Sequence, residues 1–387
     1  MTRSSSISPR LLFDQHFADL KDRRDPEKLT HSLRNVLLFA LAAVLCGGKG
    51  WDDMELIAEE RAHALQPLLD PAVGTPSADT FRRVFEMLHP TVFADCLARW
   101  TAALATSLVG EVVAFDGKGH RGTERRSDAE TKNRPLFTLH AWACSQRLLL
   151  RSQTIPGAPE EVQGIVQMLG QLSLEGAIVT TDANGCAQAV AEAVCTAKAH
   201  YVLALKGNRA ALHTAVQYAF AQAHSGGLGA GGCADYATSG ERGHGRGEFR
   251  QAWTLPVSAL SEEVARLPGM QTLVHMVRAR TAPDGTVQTE DAYYVSDLRA
   301  NASVLAQIVR THWSIENQLH YVLDVVFRED QSRVRDKTAA DNLGTVRRIA
   351  ATLLRKDTSK RSLVKKSQRA MLSSAFLMHL LTLGIDP

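Results

Sequence analysis

The sequence predicts an α/β protein in which helices flank a mixed sheet, a β-rich insertion interrupts it and an α-helical N-terminal domain precedes it. Three observations predict this. Up to residue 108, apolar side chains recur at helical spacing. After Gly110 the period changes, and compact apolar runs alternate with amphipathic stretches. A Gly-rich and then strand-like block, 225–300, separates these runs from a last helical segment. With 387 residues, 45% of them hydrophobic, the chain can bury a sizeable core as two domains or as one large domain with an insertion.

The elements follow in order. "LTHSLRNVLLFALAAVLCG" offers Thr30 as a cap and Gly47-Gly48 as a stop. "WDDMELIAEERAHALQPLL" runs to Pro71, "TPSADTFRRVFEMLHP" starts from Ser77, and "TVFADCLARWTAALATSL" leads to Gly110. In the first core segment, 109–224, "EVVAFDGKG", "LFTLHAWACS" and "RLLLRSQTI" read as strands. The helix "APEEVQGIVQMLGQL", the strand "GAIVTTDANG", the helix "AQAVAEAVCTAKA", the strand "HYVLALKGN" and the helix "RAALHTAVQYAFAQAH" complete a β-β-β-α-β-α-β-α order. Residues 225–247 are Gly-rich and read as a mobile connection. "EFRQAWTL", "TLVHMVRAR" and "DAYYVSDL" then read as strands, the last two divided by the hairpin signal Asp284-Gly285. Residues 301–355 read as one helical stretch, and 356–387 as a basic helical tail.

The net charge of +3 selects no partner, but its distribution is uneven. From Arg347 to Arg369 nine basic residues face one acid, Asp357. That density suits a phosphate backbone and equally a solvated helix. Six scattered cysteines form no CxxC pair, which excludes the common zinc spacings and a disulfide framework. The longest apolar run, about a dozen residues from Val36, is too short to span a bilayer. The expectation is a cytoplasmic protein with no membrane partner.

Three carboxylates stand out. Asp116 closes the strand "VVAFD" and Asp182 closes "AIVTTD", where side chains from separate strands converge in such sheets. Each also reads as turn chemistry, Asp116 with Gly117 and Asp182 with Asn184-Gly185. The third lies in "HWSIENQLHYVLDVVFREDQSR". With Ile315, Leu319, Val322 and Val326 as the buried stripe of a regular helix, Glu316 falls at its border. Asp324 then faces solvent, and Glu329 lies further off the stripe. Three acids from distant positions suit two Mg²⁺ ions, with Mn²⁺ as a substitute, in phosphoryl transfer. Lys118, Lys206, Arg310 and His312 are near enough in sequence to meet the backbone of a nucleic acid. His244, Arg246, Asn317, Arg347 and Arg348 complete the candidate DNA contacts.

The blocks "VVAFDGKGHRG", "IVTTDANGCAQ", "YVLALKGN", "RGHGRGEFR" and "RTHWSIENQLHYVLDVVFREDQSR" occur in this order, after an opening that includes "PSADTFRRVF". Over nearly its whole length the chain resembles the DDE transposases of bacterial insertion sequences, in the branch that includes the H-repeat-associated proteins. The resemblance implies an RNase H-like sheet, a catalytic triad of Asp116, Asp182 and Glu316, and two metal ions. It also implies binding to terminal inverted repeats and target DNA, in an active complex of more than one copy. Many relatives carry Y-x2-R-x3-E-x6-K around the Glu. Here those positions are Val309, His312, Glu316 and Leu323, and the first block has Gly119 and His120. Two alternatives remain at this point, a metal-dependent nuclease of the same fold and a non-catalytic DNA-binding copy.

Overall fold

The computed structural model describes residues 15–71, 74–123, 135–225, 234–243 and 246–383. Helix α1 (Leu33–Leu45) is capped by Ser32, whose hydroxyl accepts from the Asn35 amide. Thr30, the expected cap, lies two residues too early. Ten of the thirteen residues of α1 are buried, so it runs through a core and has no solvent face. Helices α2 (Trp51–Leu65), α3 (Ala78–Met87) and α4 (Pro90–Leu104) surround it, with Ser77 capping α3 as expected.

Among the described residues the strands form one nine-stranded sheet. They are β1 (Val112–His120), β2 (Leu136–Ala143), β3 (Leu148–Ile155), β4 (Ile178–Thr181), β5 (His200–Leu205), β6 (Asp235–Gly243), β7 (Arg246–Pro256), β8 (Thr272–Thr281) and β9 (Val287–Ser296). Their order is β3-β2-β1-β4-β5-β9-β8-β7-β6. β1, β2 and β3 are antiparallel neighbours, β1, β4 and β5 run parallel, and β6 to β9 extend the sheet beyond β5 as an antiparallel meander. This is the mixed α/β sheet that the sequence predicts, with the insertion built onto its edge. One expectation is corrected: Asp235–Gly243, read as a mobile connection, is strand β6, because its backbone pairs with β7 along the whole run.

Helices α5 (Glu161–Leu169), α6 (Gln188–Thr196) and α7 (Ala210–Ser225) cover one face of the sheet, where Val113, Phe115, Val179 and Leu203 meet Ile165, Val190 and Val216. The other face carries α8 (Ala302–His312), a π-helical turn (Glu316–His320), α9 (Tyr321–Val325) and α10 (Lys337–Lys356). The helical stretch expected to run unbroken is therefore interrupted. After α9 the chain turns at Arg328, which adopts φ 51° in the left-handed region. Helices α11 (Leu363–Leu372) and α12 (Ser374–Thr382) do not trail as a tail. Phe376, Leu377, Leu380 and Leu381 join the core that holds α1 to α4 and α10. Among the described residues no helix is long and apolar enough to cross a membrane.

Candidate active site

Strand pairing brings the first two acids together. In the parallel pair of β1 and β4, Phe115 lies opposite Thr181, so Asp116 and Asp182 are the next residues on neighbouring strands. Adjacent strands lie about 4.8 Å apart. Both turn readings hold alongside this placement. One Asp116 oxygen accepts from the Gly117 amide at 2.9 Å, and one Asp182 oxygen accepts from the amides of Asn184 at 2.9 Å and Gly185 at 3.3 Å. Each carboxylate is thereby fixed through one oxygen, which leaves the other for a ligand. Glycine is required beside each acid. A Cβ on Gly117 would lie 2.3 Å from the Phe137 ring, and one on Gly185 2.5 Å from Thr181.

Glu316 opens the π-helical turn on the other face, its side chain 55% exposed. π-turns inside helices recur at functional sites. One Glu316 oxygen is 2.8 Å from Nδ1 of His320, which is 3.6 Å from Asp116. Asp116, Glu316 and His320 each offer a ligand atom within 4.8 Å of the others, a spacing that fits a metal ion. The hydrogen bond from His320 holds the Glu316 carboxyl below its usual range. Burial, with Asp182 and Glu316 adding repulsion against the pull of His320, pushes Asp116 up to about 6.

A fourth acid belongs to this group and was missed in the sequence. Glu161, at the start of α5, is buried and accepts from the Asn184 side chain at 3.4 Å. Burial and the nearby charges of Asp182 and Asp116 push it up to about 7, although Asn184 pulls it down. The signal was an acid in the first helical turn after β3, in "PEE". It reads as a favourable helix-dipole charge and gives no hint of what it faces.

The remaining acids of the helical stretch are not idle. Lys118, two residues beyond Asp116 on β1, is buried with its Nζ 2.8 Å from Asp324, 3.4 Å from Glu329 and 3.0 Å from Asp330. Glu329, expected to lie off the buried stripe, is fully buried because the chain leaves the helix before it and turns inward at Arg328. Burial alone would raise its carboxyl. His120, Arg348, Lys118 and Arg347 bring it down to about 2. His120 is itself pushed down to about 4 by burial, so near neutral pH the countercharges are Lys118 and the two arginines.

Four of the residues expected to contact DNA are instead engaged with other parts of the chain. Lys118 is held by three carboxylates. Arg347 is buried, donating to the Ser332 hydroxyl at 3.3 Å, and Arg348 is buried with its Nε 3.2 Å from His140. His312 is hydrogen-bonded to Thr180 at 2.9 Å, and burial pushes it down to about 4, so it presents no cation. Lys206 is exposed at the end of β5, where the neighbouring Asn208 donates to the backbone of Ala183. Asn317 is exposed beside Glu316, and Arg310 forms an ion pair with Glu241 of β6. His244 lies outside the described residues, as does the side chain of Arg246, whose backbone belongs to β7. A cleft opens between the extended sheet and Glu316. Arg250, Arg278, Arg280 and Arg310 line it, with Trp313 half exposed at its edge.

Comparison with known proteins places these residues in a family. Residues 108–353 match the family described as "Transposase DDE domain", and residues 14–101 match the one described as "DDE_Tnp_1-associated". The "H repeat-associated putative transposase YhhI" of Escherichia coli (strain K12) is 30% identical over 377 residues, which cover 95% of this chain and 97% of that protein. The "Uncharacterized protein in dhlA 3'region" of Xanthobacter autotrophicus is 35% identical over 283 residues, 72% of this chain and 91% of that one. Among solved structures, a piggyBac transposase synaptic complex with hairpin DNA aligns at TM-score 0.43 and 10% identity, covering 98% of this chain and 83% of that one. A match that runs from just before β1 into α10 and takes in the acids gathered around β1 and β4 identifies the chain as a member of the transposase DDE domain family.

Proposed function

We propose that the protein is a DNA transposase that binds the terminal inverted repeats of its element, cuts its 3′ ends and joins them to target DNA. The observation that carries this reading is the placement of Asp116, in mid-β1, beside Asp182, where the parallel pairing of β1 with β4 ends, with Glu316 within metal-ligand reach of Asp116, in a member of this family. The donor set fits Mg²⁺ or Mn²⁺, since hard cations prefer carboxylate oxygen and no thiolate is present. Two such ions, when bound, would supply the water-activating and charge-neutralising chemistry of an in-line displacement at phosphorus.

The chain's own residues do the rest. Asp116 sits centrally, influenced by both Asp182 and Glu316 and influencing Glu161, so the four acids act as one charged surface. The Gly117 and Gly185 amides fix the orientation of the two aspartates. Lys206 and Asn317, both exposed, would hold backbone phosphate. In the cleft Arg310 is paired with Glu241, Arg250 with Glu248 and Arg278 with Glu290. DNA phosphate would take the place of those carboxylates, a screened exchange that makes binding strongly salt-dependent. Two element ends must be processed together, so the active form is a homo-oligomer.

The test uses a plasmid carrying the DNA that flanks the reading frame, incubated with full-length protein and Mg²⁺, Mn²⁺ or EDTA, beside a Glu316→Gln variant. Metal-dependent breaks at the element's ends followed by strand joining support the proposal. Cleavage without joining would point to a nuclease, and binding without cleavage to a non-catalytic copy.

A further inference from the structure

His320 poses a choice that the acids do not. Its Nδ1 lies 2.8 Å from Glu316 and 3.6 Å from Asp116, close enough either to ligate a metal or to donate a hydrogen bond. An imidazole nitrogen cannot do both. Which role it has depends on which ring nitrogen carries the proton, and the partners on its far side decide that.

The far side is a buried chain of three side chains from three elements. His320 Nε2 is 3.1 Å from Nδ1 of His140, the β2 residue paired directly across from Asp116. His140 Nε2 is 3.2 Å from Nε of Arg348, on α10. All three are almost wholly removed from solvent. The chain has a fixed direction because Arg348 can only donate. His140 Nε2 must therefore accept, and its proton resides on Nδ1. That N–H donates to His320 Nε2, which must also accept, so the His320 proton resides on Nδ1 and faces Glu316.

The opposite assignment fails at its last link. A His320 that ligates through Nδ1 carries its proton on Nε2, and this N–H must donate to His140 Nδ1. His140 then carries its own proton on Nε2, where it meets the Arg348 N–H donor to donor at 3.2 Å. A buried clash of that kind leaves two donors unsatisfied in a low-dielectric site. We propose that Arg348, His140 and His320 form a one-way hydrogen-bond chain that holds an N–H on His320 Nδ1 and aims it at Glu316. His320 is then a positioning residue of the catalytic acid and not a metal ligand. Glu316 is more than half exposed and needs such a restraint; with one oxygen tied to His320, the other would be left to hold the ion. The inference rests on the proposed metal-holding role of Glu316.

The test reads the ring nitrogens directly. Full-length protein labelled with ¹⁵N-histidine is examined by NMR before and after Mg²⁺, and the His320 signals are assigned by their loss in His320→Asn. The expected result is a protonated Nδ1 and an unprotonated Nε2, with the tautomer unchanged by Mg²⁺. A protonated Nε2, or an Nδ1 that loses its proton when Mg²⁺ is added, would overturn the proposal. Activity gives a second arm. His320→Leu is expected to lower the end-cleavage rate and Mn²⁺ affinity about 10- to 100-fold, as losses of orienting partners do, with DNA-end affinity retained. His320→Asn puts an amide N–H where Nδ1 stood and is expected to recover most of the loss. Equal loss in both variants would also overturn it. If the protein cleaves no DNA at all, the transposase reading fails while the NMR arm still decides the tautomer.

Discussion

Asp116 and Lys118 lie two residues apart on one strand and point to the same side of the sheet, yet each heads a different kind of charge cluster. Around Asp116 stand Asp182, Glu316 and Glu161, with no lysine or arginine in an ion pair with them among the described residues; the carboxyls of Asp116 and Glu161 are pushed up to about 6 and about 7, while His320 holds Glu316 down. Around Lys118 stand Asp324, Glu329 and Asp330, with Arg347 and Arg348 behind, and Glu329 is brought down to about 2. The same residue type at similar depth is shifted in opposite directions. A protein that places acids together and supplies cations is building structure. One that places them together and withholds cations leaves charge to be neutralised by something bound. That difference separates the candidate site from its scaffold more sharply than any distance.

Neutralising one acid in each cluster should give opposite results. Asp116→Asn or Glu316→Gln is expected to lower end cleavage by at least ~10³-fold, about 4 kcal/mol of transition-state stabilisation. For Asp116→Asn the melting temperature should stay level or rise, since a charge disfavoured by burial and by Asp182 is removed. Glu329→Ala removes the buried countercharge of Arg347 and Arg348, while Lys118 keeps Asp324 and Asp330, and is expected to destabilise the fold by about 3–5 kcal/mol, read by denaturant unfolding. Two stability losses of equal size would erase the distinction.

The shifts also set a pH dependence. Below about pH 6 to 7 the metal-free site carries protons on Asp116 and Glu161, and these must leave before oxygen can ligate. Mn²⁺ affinity measured by calorimetry should therefore rise with pH, about tenfold or more from pH 6 to 8, with proton release on binding. Glu161→Gln should flatten part of that slope. A flat profile in the unaltered protein would sink the view that these acids face the ion.

Much of this site was legible in the sequence, for reasons that can be named. Asp116 and Asp182 each close the apolar run of a strand, although β1 continues to His120, and the parallel pairing of β1 with β4 makes them neighbours. Glu316 was found by helical spacing, even though the turn there is π-helical. What stayed hidden depended on partners far away in the chain. Glu329 reads as exposed until the helix stops and Arg328 turns the chain inward. Arg347 and Arg348 count as part of a basic tract by composition, but charge alone cannot tell a solvated guanidinium from one enclosed by Glu329 and His140. Glu161 was missed because the residue it meets, Asn184, lies on a loop two elements later.

His312 offers the finest test, because it stands where many relatives have an arginine and so tempts the reading that it is a weakened DNA contact. Its ring is partly buried and bonded to Thr180 on β4, and desolvation, with His320 adding to it, pushes it down to about 4. It belongs with the structural side of the comparison and tethers α8 to the strand that ends in Asp182. His312→Ala should therefore cost only about 1 kcal/mol of stability, for one buried hydrogen bond, and leave the salt dependence of DNA binding unchanged. His312→Arg should not restore activity. It would force a longer, charged side chain into the partly buried space beside Thr180, and the melting temperature should fall below that of the alanine variant. A gain in DNA affinity with a steeper salt slope would show instead that the pocket opens to phosphate, and would move His312 across to the side of Asp116.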